Sequence, residues 1–573
     1  MPPTDEQLLA CFQAGELLDE VDTYFGLTEL EQMREVHRRC GVLAAAGKMD
    51  LLSLVESGEV AAREHRDFFT LQHFFVDAIP HLNEPLLRML SAVDTLVKLG
   101  GEDLAATRPN AALRDWLRKD PARAEAIIAE TQAGDATARA HLTFALEVLA
   151  DPARARTFLE SEEPLLRASG ITALSRMPDL DPASRSVSVI GIGQALGDGA
   201  DDMLCANAVE AVLALASQEG GAVETETILP ALRRALEARG DGTLNRAAHA
   251  LWAYQAARRP EVAAILFAAL LDLNAAHKGT LDELDLGLKT ALDSGRGAEA
   301  LPFVAALLIK NRGRLKARQF DSLWNAMVTG PEPRLSTWIV TWLISGEAAL
   351  GAALTEILSN LERDERSLAI GRAELPTSSD ELGYLARKAV GWFMLQPHLA
   401  TSLLVAILGV CDEQTARPVA GLLVTPVLRN YPEMRESLSQ TPAEDPARPW
   451  IEAAIQEHDR YLDALKAMPE IPELRPSDHN RRIHHLHQAD TMRSAHKAAQ
   501  AQSVFLNLVH HSTLLYGVRS LTYVEDLGGG ARRPMEMELG SHEFSMMLPR
   551  LEMLDPIGLQ LMFLRLRGEA RPK

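Results

Sequence analysis

Three stretches share one residue pattern: LLRASGITALSRM (165–177), CANAVEAVLALAS (205–217) and LNRAAHALWAYQAA (244–257). In each, a small side chain is followed by an Ala and then an aliphatic residue, while apolar residues recur with the period of a helix. The aligned pairs are Ala173-Leu174, Ala211-Val212, Ala250-Leu251, Ala291-Leu292 and the looser Ala326-Met327, with an earlier pair at Ala145-Leu146. From Ala173 onward the steps are 38, 39, 41 and 35 residues. The pattern predicts a repeated structural unit.

A step near 40 residues accommodates two helices and their connecting loops, and small residues let the helices of successive units approach closely. The segment EEPLLRASGITALSRM (162–177) resembles the second helix of a HEAT repeat. The resemblance to HEAT/armadillo-type proteins covers roughly residues 140–330 and implies an α-solenoid fold without catalytic residues. Two features depart from that family: the first and last steps are off-period, and the expected Asp–Arg ladder is incomplete.

Composition supports a mainly α protein. Aromatic residues make up only 5% of the 573 residues, and strands draw on aromatic and β-branched side chains. We predict four regions: a helical region over 1–139, a HEAT-like body over 140–429, a proline-rich connector with one helix over 430–476, and a small α+β module over 477–573. The module is predicted from alternating patterns over Ser520–Asp526 and Met535–Leu548 and from a closing helix over Asp555–Arg567.

Charge is distributed unevenly along the chain. The net charge is −21, but residues 475–573 hold 13 basic against 10 acidic side chains, which leaves −24 on residues 1–474. An acidic body suits a protein partner with a basic surface and argues against nucleic-acid binding by the chain as a whole. Nucleic acid is therefore expected only at the C-terminal module.

Several observations bear on location. The cysteines Cys11, Cys40, Cys205 and Cys411 are far apart, as in a reduced cytoplasmic protein, and no signal peptide is evident. The segment 389–411 lacks formal charge, but Gln396 and Pro397 divide it. We interpret it as two buried helices joined by a proline turn, in preference to a membrane span.

The stretch HNRRIHHLHQADTMRSAH (479–496) holds five of the 17 histidines. On a helix, His484, His487 and Asp490 fall on one drifting row and could ligate zinc, iron or manganese. The row lacks the Glu and the spacing of an H-E-x-x-H site. A solvated helix at a domain junction is the preferred interpretation, and no cofactor is expected.

A contact with phosphate or nucleic acid is the third interpretation of this segment, because it is locally basic. Its candidate binding residues, with two arginines of the predicted GGGARR turn (528–533), are Arg481, Arg482, His484, His487, Arg493, Lys497, Arg532 and Arg533. Docking of the basic segment onto the acidic body of the same chain is favoured over an external ligand. Another stretch, GIGQALGDG (191–199), imitates a dinucleotide loop but is interpreted as a helix and its turn.

Together these features predict a non-enzymatic helical-repeat scaffold or adaptor that binds protein partners through its acidic surface, with the C-terminal module as a docking or effector element. Two alternatives remain open. The first is a nucleic-acid or phosphate-ligand sensor in the C-terminal module, regulated by the repeats. The second is a metal-dependent hydrolase at His484, His487 and Asp490.

Overall fold

A computed structural model describes residues 2–25, 30–63, 65–101, 107–197, 199–330, 332–358, 368, 370–469, 471–472, 475–501, 512–516, 519–525, 532–538 and 548–572. The chain divides into two compact units, Met1–Pro331 and Glu332–Lys573. This division falls inside the predicted repeat body of 140–429.

The α-helices of unit 1 are α1 (Asp5–Ala14), α2 (Leu17–Phe25), α3 (Leu30–Ala45), α4 (Leu51–Glu56), α5 (His65–Ala78), α6 (Leu86–Leu99), α7 (Arg108–Lys119), α8 (Pro121–Ala133), α9 (Ala136–Ala140), α10 (Leu142–Leu149), α11 (Pro152–Thr157), α12 (Pro164–Arg176), α13 (Pro182–Ala195), α14 (Asp202–Ser217), α15 (Thr225–Ala235), α16 (Asp241–Ala253), α17 (Pro260–Leu270), α18 (Lys278–Asp293), α19 (Gly297–Asn311) and α20 (Asp321–Thr329). Short 3₁₀ turns lie at Ile79–His81, Phe158–Glu160, Gln255–Arg258 and Ala317–Phe320.

Helices of unit 1 pack in two layers. One layer, named here the inner layer, runs α10–α12–α14–α16–α18–α20, each helix contacting the next. The other layer runs α11–α13–α15–α17 and pairs with the first through helical hairpins. The predicted Ala-aliphatic pairs from Ala145 to Ala291 lie on consecutive inner-layer helices, where their side chains are buried. The protein is thus mainly α and a helical repeat protein.

Hydrogen bonds between successive repeats follow the same period. The Asp202 carboxylate accepts from the backbone N–H groups of Gly242 (2.8 Å) and Thr243 (2.9 Å), so one repeat caps the inner helix of the next. Asp285 does the same for Ser322 and Leu323, each at 2.9 Å. These capping contacts tie the N-termini of α16 and α20 to the preceding repeat and satisfy donors that a helix cannot satisfy itself.

A buried arginine donates hydrogen bonds to backbone carbonyls that follow the C-terminal end of an inner-layer helix. Arg185 of α13 is fully buried, and its guanidinium donates to the carbonyls of Gln218 and Gly221, both at 2.7 Å, just beyond the end of α14. Planar guanidinium groups suit this task because they present several donors in a fixed geometry. The Asp and Arg contacts link successive repeats, although the sequence pattern suggested an incomplete ladder.

The stacking extends into the region 1–139, where the sequence shows helices without a period. Helices α3, α5 and α7 contact one another in turn, and α7 contacts α10. His37 Nδ1 lies 2.9 Å from Asp77 Oδ2, and the Trp116 indole donates to the Leu82 carbonyl at 2.8 Å. Both contacts span a repeat length. The boundary predicted at residue 139 is therefore not a break in packing, because these helices contact through aromatic and histidine side chains where the later repeats use alanine.

Unit 2 contains α21 (Glu332–Ser345), α22 (Ala348–Ile357), α23 (Ser379–Phe393), α24 (Pro397–Leu408), α25 (Glu413–Leu422), a π-helix (Leu423–Leu428), α26 (Met434–Ser439), α27 (Arg448–Ala467), α28 (Asp478–Ala501), α29 (Leu551–Leu554) and α30 (Pro556–Gly568), with a 3₁₀ turn at Arg372–Glu374. Contacts run from α21 to α23, from α23 to α25, and from α25 and the π-helix to α27.

The uncharged stretch 389–411 forms the end of α23 and all of α24, with Pro397 in the first turn of the second helix. The predicted pair of helices joined at a proline is confirmed. Among the described helices, none combines the length and the apolar character that crossing a membrane requires.

Three strands form an antiparallel sheet in the order β1-β2-β3: β1 (Ser512–Tyr516), β2 (Arg519–Glu525) and β3 (Arg532–Glu538). In the pairing register, Leu514 lies opposite Leu521, which lies opposite Glu536. A separate α+β module was predicted for 477–573, with the closing helix packed against the strands. This prediction is not supported, because α30 packs elsewhere. It packs on α23, because its apolar residues Leu559 and Leu566 are buried there.

Polar contacts hold the end of α30 against α23. The buried Lys388 ammonium donates to the carbonyls of Arg567 (2.6 Å) and Glu569 (2.8 Å), and Arg387 forms a bidentate pair with Glu569. Gly391 permits the approach, because a Cβ there would lie 2.9 Å from the Leu566 Cβ. The predicted connector also packs: α27 buries Ile451 against its neighbours in unit 2.

Candidate partner-binding face of the repeat

The inner layer of unit 1 presents a row of paired charges on its outward side. Glu147 of α10 accepts from Arg114 of α7 (3.3 Å) and from Arg176 of α12 (2.9 Å), and Arg246 of α16 lies 3.2 Å from Glu210 of α14. Each pair joins helices that contact each other: α7 with α10, α10 with α12, and α14 with α16. Pairs held on rigid helices lose less side-chain entropy than isolated surface pairs. The row therefore presents fixed polar groups at regular intervals.

An aromatic cluster lies in this row, where α16 meets α18. The Trp252 indole donates to Glu283 Oε2 at 2.7 Å, and His249 Nδ1 lies 3.0 Å from the same oxygen. The two rings meet edge to face with centroids 4.6 Å apart. Because a carboxylate only accepts, His249 donates from Nδ1 and leaves Nε2 as the other polar position on its ring.

The cluster is partly open to solvent. The side chains of His249 and Glu283 are 25% and 31% exposed, and Trp252 is half-buried. Tyr254 lies beside His249, with ring centroids 6.3 Å apart. Burial, and after it the nearby Glu210 carboxylate, raises the pKa of Tyr254 to about 12, so its hydroxyl keeps its proton and can donate.

The cluster contains Trp, Tyr and Arg, the residue types that dominate binding free energy at protein interfaces. These side chains are held in place and are partly open to solvent. We name the patch formed by Glu210, Arg246, His249, Trp252, Tyr254 and Glu283 the inner-layer patch. The alanines of α16 predicted a repeat helix, but its sequence pattern did not predict the patch. The available signal was a His and a Trp at i, i+3 on an otherwise Ala-rich helix.

The residues predicted from the sequence lie elsewhere. Arg481, Arg482, His484, His487, Arg493 and Lys497 all lie on α28. Arg481 pairs with Asp478 at 2.7 Å and Arg493 with Asp490 at 3.4 Å, within the helix. The described side chains of α28 are exposed, except for the half-buried His484. Docking of this segment onto the acidic body of the chain stays a prediction.

Metal binding gains no geometric support. Within the described part of the chain, which includes His484, His487 and Asp490, no three His, Cys, Asp or Glu side chains come together as a metal site would require. A zinc site needs three or four protein ligands, and no second described element brings further ligands to this exposed row.

Arg532 and Arg533 begin β3, where they pair in register with Glu525 and Val524. They are strand residues and not part of the predicted turn, whose residues 528–531 lie outside the described part of the chain. The glycines of GIGQALGDG also have a packing role: Gly193 lies within α13, and a Cβ there would meet the Ala231 Cβ of α15 at 3.0 Å. The helical interpretation of that stretch is confirmed.

All four cysteines carry free thiols. Burial raises the pKa of Cys40 to about 12, and burial is also the first cause of the raised pKa values of Cys11, Cys205 and Cys411. These thiols are therefore poorly ionised near neutral pH and are weak nucleophiles.

Comparisons with known proteins add no family. No model of a known protein family matches the chain, and no curated protein matches it. A solved structure described as a "circular tandem repeat protein with novel repeat topology and enhanced subunit contact surfaces" shares 14% identity, covering 80% of this chain and 96% of that one, with a TM-score of 0.18. The helical-repeat assignment rests on the packing described above.

Proposed function

We propose that the chain is a non-enzymatic scaffold or adaptor whose HEAT-like repeats bind a protein partner at the inner-layer patch. The observation that carries this proposal is the shared acceptor Glu283, which fixes His249 and Trp252 in one partly open cluster. A side chain fixed before binding loses little conformational entropy on binding. The α28 helix and the three-stranded sheet act as the C-terminal docking or effector element.

The negative net charge of the repeat body suits a partner with a basic surface. Residues 1–474 carry a net charge of −24, and the patch includes the carboxylates of Glu210 and Glu283. An acidic field raises the rate at which a basic partner is captured, while the aromatic side chains supply most of the binding free energy. We place the protein in the cytoplasm.

Affinity capture from the cells that express the protein tests this proposal. Truncating a central Trp at an interface costs about 2 kcal/mol or more, so Trp252→Ala is expected to weaken capture about 30-fold. Glu283→Gln tests the cluster with a smaller change. The control is Val187→Ala on α13 of the other layer, where the side chain is 51% exposed and capture is expected to be unchanged. Equal recovery by all three variants would refute the proposal.

A second function is favoured by the exposure of α28. Arg482 and Lys497 project into solvent on the same helix as the paired Arg481 and Arg493, so this helix could bind phosphate groups of nucleic acid. Joint replacement of Arg481 and Arg482 by Glu is then expected to abolish retention on DNA or RNA at low salt. A wild-type protein that shows no salt-sensitive retention excludes this function.

A further inference from the structure

The most exposed apolar side chains of the described chain lie in its last part. Every described large apolar side chain that is at least 60% exposed comes from residue 468 or later. Three of them follow one face of α30: Ile557 (71%), Leu561 (60%) and Leu564 (70%). Their spacing of four and then three residues forms a continuous helical stripe. Since the opposite face of α30 packs on α23, this stripe has no cover within the described unit.

Another helix of unit 2 has a stripe with the same spacing. On α27, Tyr461 (36%), Leu465 (45%) and Met468 (60%), at and just past the helix end, are exposed at intervals of four and three residues. Ile451 and His458, fourteen and seven residues before Leu465, are buried, so the exposed stripe borders the packed face of α27. Unit 2 thus presents two apolar stripes of equal length on two different helices.

The ends of the two stripes carry opposite charge. Arg565 is exposed beside Leu564 at the C-terminal end of the α30 stripe, and α30 has no acidic residue. Glu457 is exposed one helical turn before Tyr461, at the N-terminal end of the α27 stripe. If the two helices lie antiparallel with Arg565 beside Glu457, Leu561 falls beside Tyr461 and Ile557 falls beside Leu465. Apolar and charged positions then match simultaneously.

Between the two stripes lie α25 and the π-helix. They contact α27 on one side, and on the other Leu422 and Pro426 form a groove of about 870 Å³ with Leu561 and Leu564. A two-fold axis through such a middle element would bring α27 of one copy onto α30 of the other, and the reverse. Isologous dimers are built from this reciprocal arrangement, in which residue i contacts j and j contacts i.

We propose that this face of unit 2 is a homodimer interface in which the α27 stripe of each copy packs antiparallel on the α30 stripe of the other. The occupant of each stripe is thus a second copy of the chain. Two helix pairs form per dimer, each with an apolar seam and one Glu457–Arg565 ion pair at its end.

Sedimentation velocity of the full chain over about 1–100 µM measures the association, a range in which a stable interface of standard size is saturated. The wild type is expected to be dimeric. Because each substitution occurs twice in the dimer, Leu561→Glu and Leu465→Glu are each expected to raise the dissociation constant about 100-fold or more. The control Gln456→Glu adds the same charge at an exposed position on the side of α27 away from the stripe and is expected to leave the dimer intact.

Charge reversal tests the register. Glu457→Arg and Arg565→Glu are each expected to weaken the dimer, and the double variant in one chain is expected to restore it, because the ion pair re-forms with reversed sign. Circular dichroism of each variant establishes that it is folded. A monomeric wild type overturns the proposal. Loss of the dimer with Leu561→Glu but not with Leu465→Glu overturns it as well, since α30 would then pair with itself, and failure of the double variant to recover overturns the antiparallel register.

Discussion

Two glycines of α18 provide a sharp test of the inter-repeat packing. Gly287 is buried where α18 meets α16: a Cβ at this position would lie 2.7 Å from the Leu251 Cβ and 3.4 Å from the Ala248 carbonyl oxygen. Gly279, in the first turn of the same helix, has open space where its Cβ would be. Ala at either position therefore gains the same helix propensity, but only Gly287→Ala forces two helices apart.

The magnitudes have opposite signs. Replacing a helical Gly by Ala without a clash stabilises by about 0.5–1 kcal/mol, which is the expectation for Gly279→Ala. Overpacking a tight contact costs about 1–3 kcal/mol. The net expectation for Gly287→Ala is thus a loss of about 1–2 kcal/mol, with Leu251 and the α16 backbone taking up the displacement.

Hydrogen–deuterium exchange of the full chain measures both effects locally, which matters because two units need not unfold together. Peptides from α16 and α18 are expected to exchange about 5- to 30-fold faster in Gly287→Ala and somewhat more slowly in Gly279→Ala. Urea-induced unfolding of unit 1 gives the corresponding free energies. Equal protection in the two variants would show that α16 and α18 are not packed as described.

Three further predictions concern capping, pH and the closing helix. Asp202→Ala removes the acceptor for two N–H groups of the next repeat and is expected to lower the free energy of unfolding of unit 1 by about 1–3 kcal/mol, measured in urea. The control Asp282→Ala, on the exposed surface of α18, should change this free energy by less than about 0.5 kcal/mol. Burial lowers the pKa of His458, whose ring nitrogens have no hydrogen-bond partner among the described residues, so the unfolded chain binds the proton more tightly. The free energy of unfolding therefore keeps this contribution above about pH 6.5 and falls as the pH drops below it. Calorimetry at pH 7.5 and 5.5 should show a smaller loss of stability at the lower pH for His458→Phe than for the wild type. Lys388→Met leaves two carbonyls at the end of α30 without their donor and is expected to speed proteolysis after residue 555 several-fold, an effect that Lys466→Met, on an exposed residue, should not produce.

The repeat was predictable from the sequence because its close contacts depend on small residues. Ala211 and Ala250 occur at positions where successive inner helices touch, so a local pattern reports a tertiary contact. In the region 1–139 the corresponding contacts involve Trp116 and His37, two different residue types that leave no period to detect. The continuation of the repeat packing into residues 1–139 was therefore not predicted from the sequence.

The candidate site was less accessible to sequence reasoning. His249 and Trp252 become a cluster only through Glu283, which lies 31 residues beyond the Trp on a different helix. The position of α30 is also decided by distant residues, since Lys388 and its carbonyl partners are about 180 positions apart. Conversely, the histidine-rich helix α28 attracted attention because its residues are adjacent in sequence, although the structure brings no other described element to their side.

Site-specific photo-cross-linking in cells tests the role of the inner layer most directly. A benzophenone amino acid at Asn207 or Leu286 lies on the outward side of the inner layer beside the patch, and the same probe at Val187 or Ile190 lies on the other layer. One protein partner is expected to cross-link from Asn207 and Leu286, and Trp252→Ala is expected to remove the product. Cross-links to a partner from Val187 and Ile190 alone would contradict this expectation.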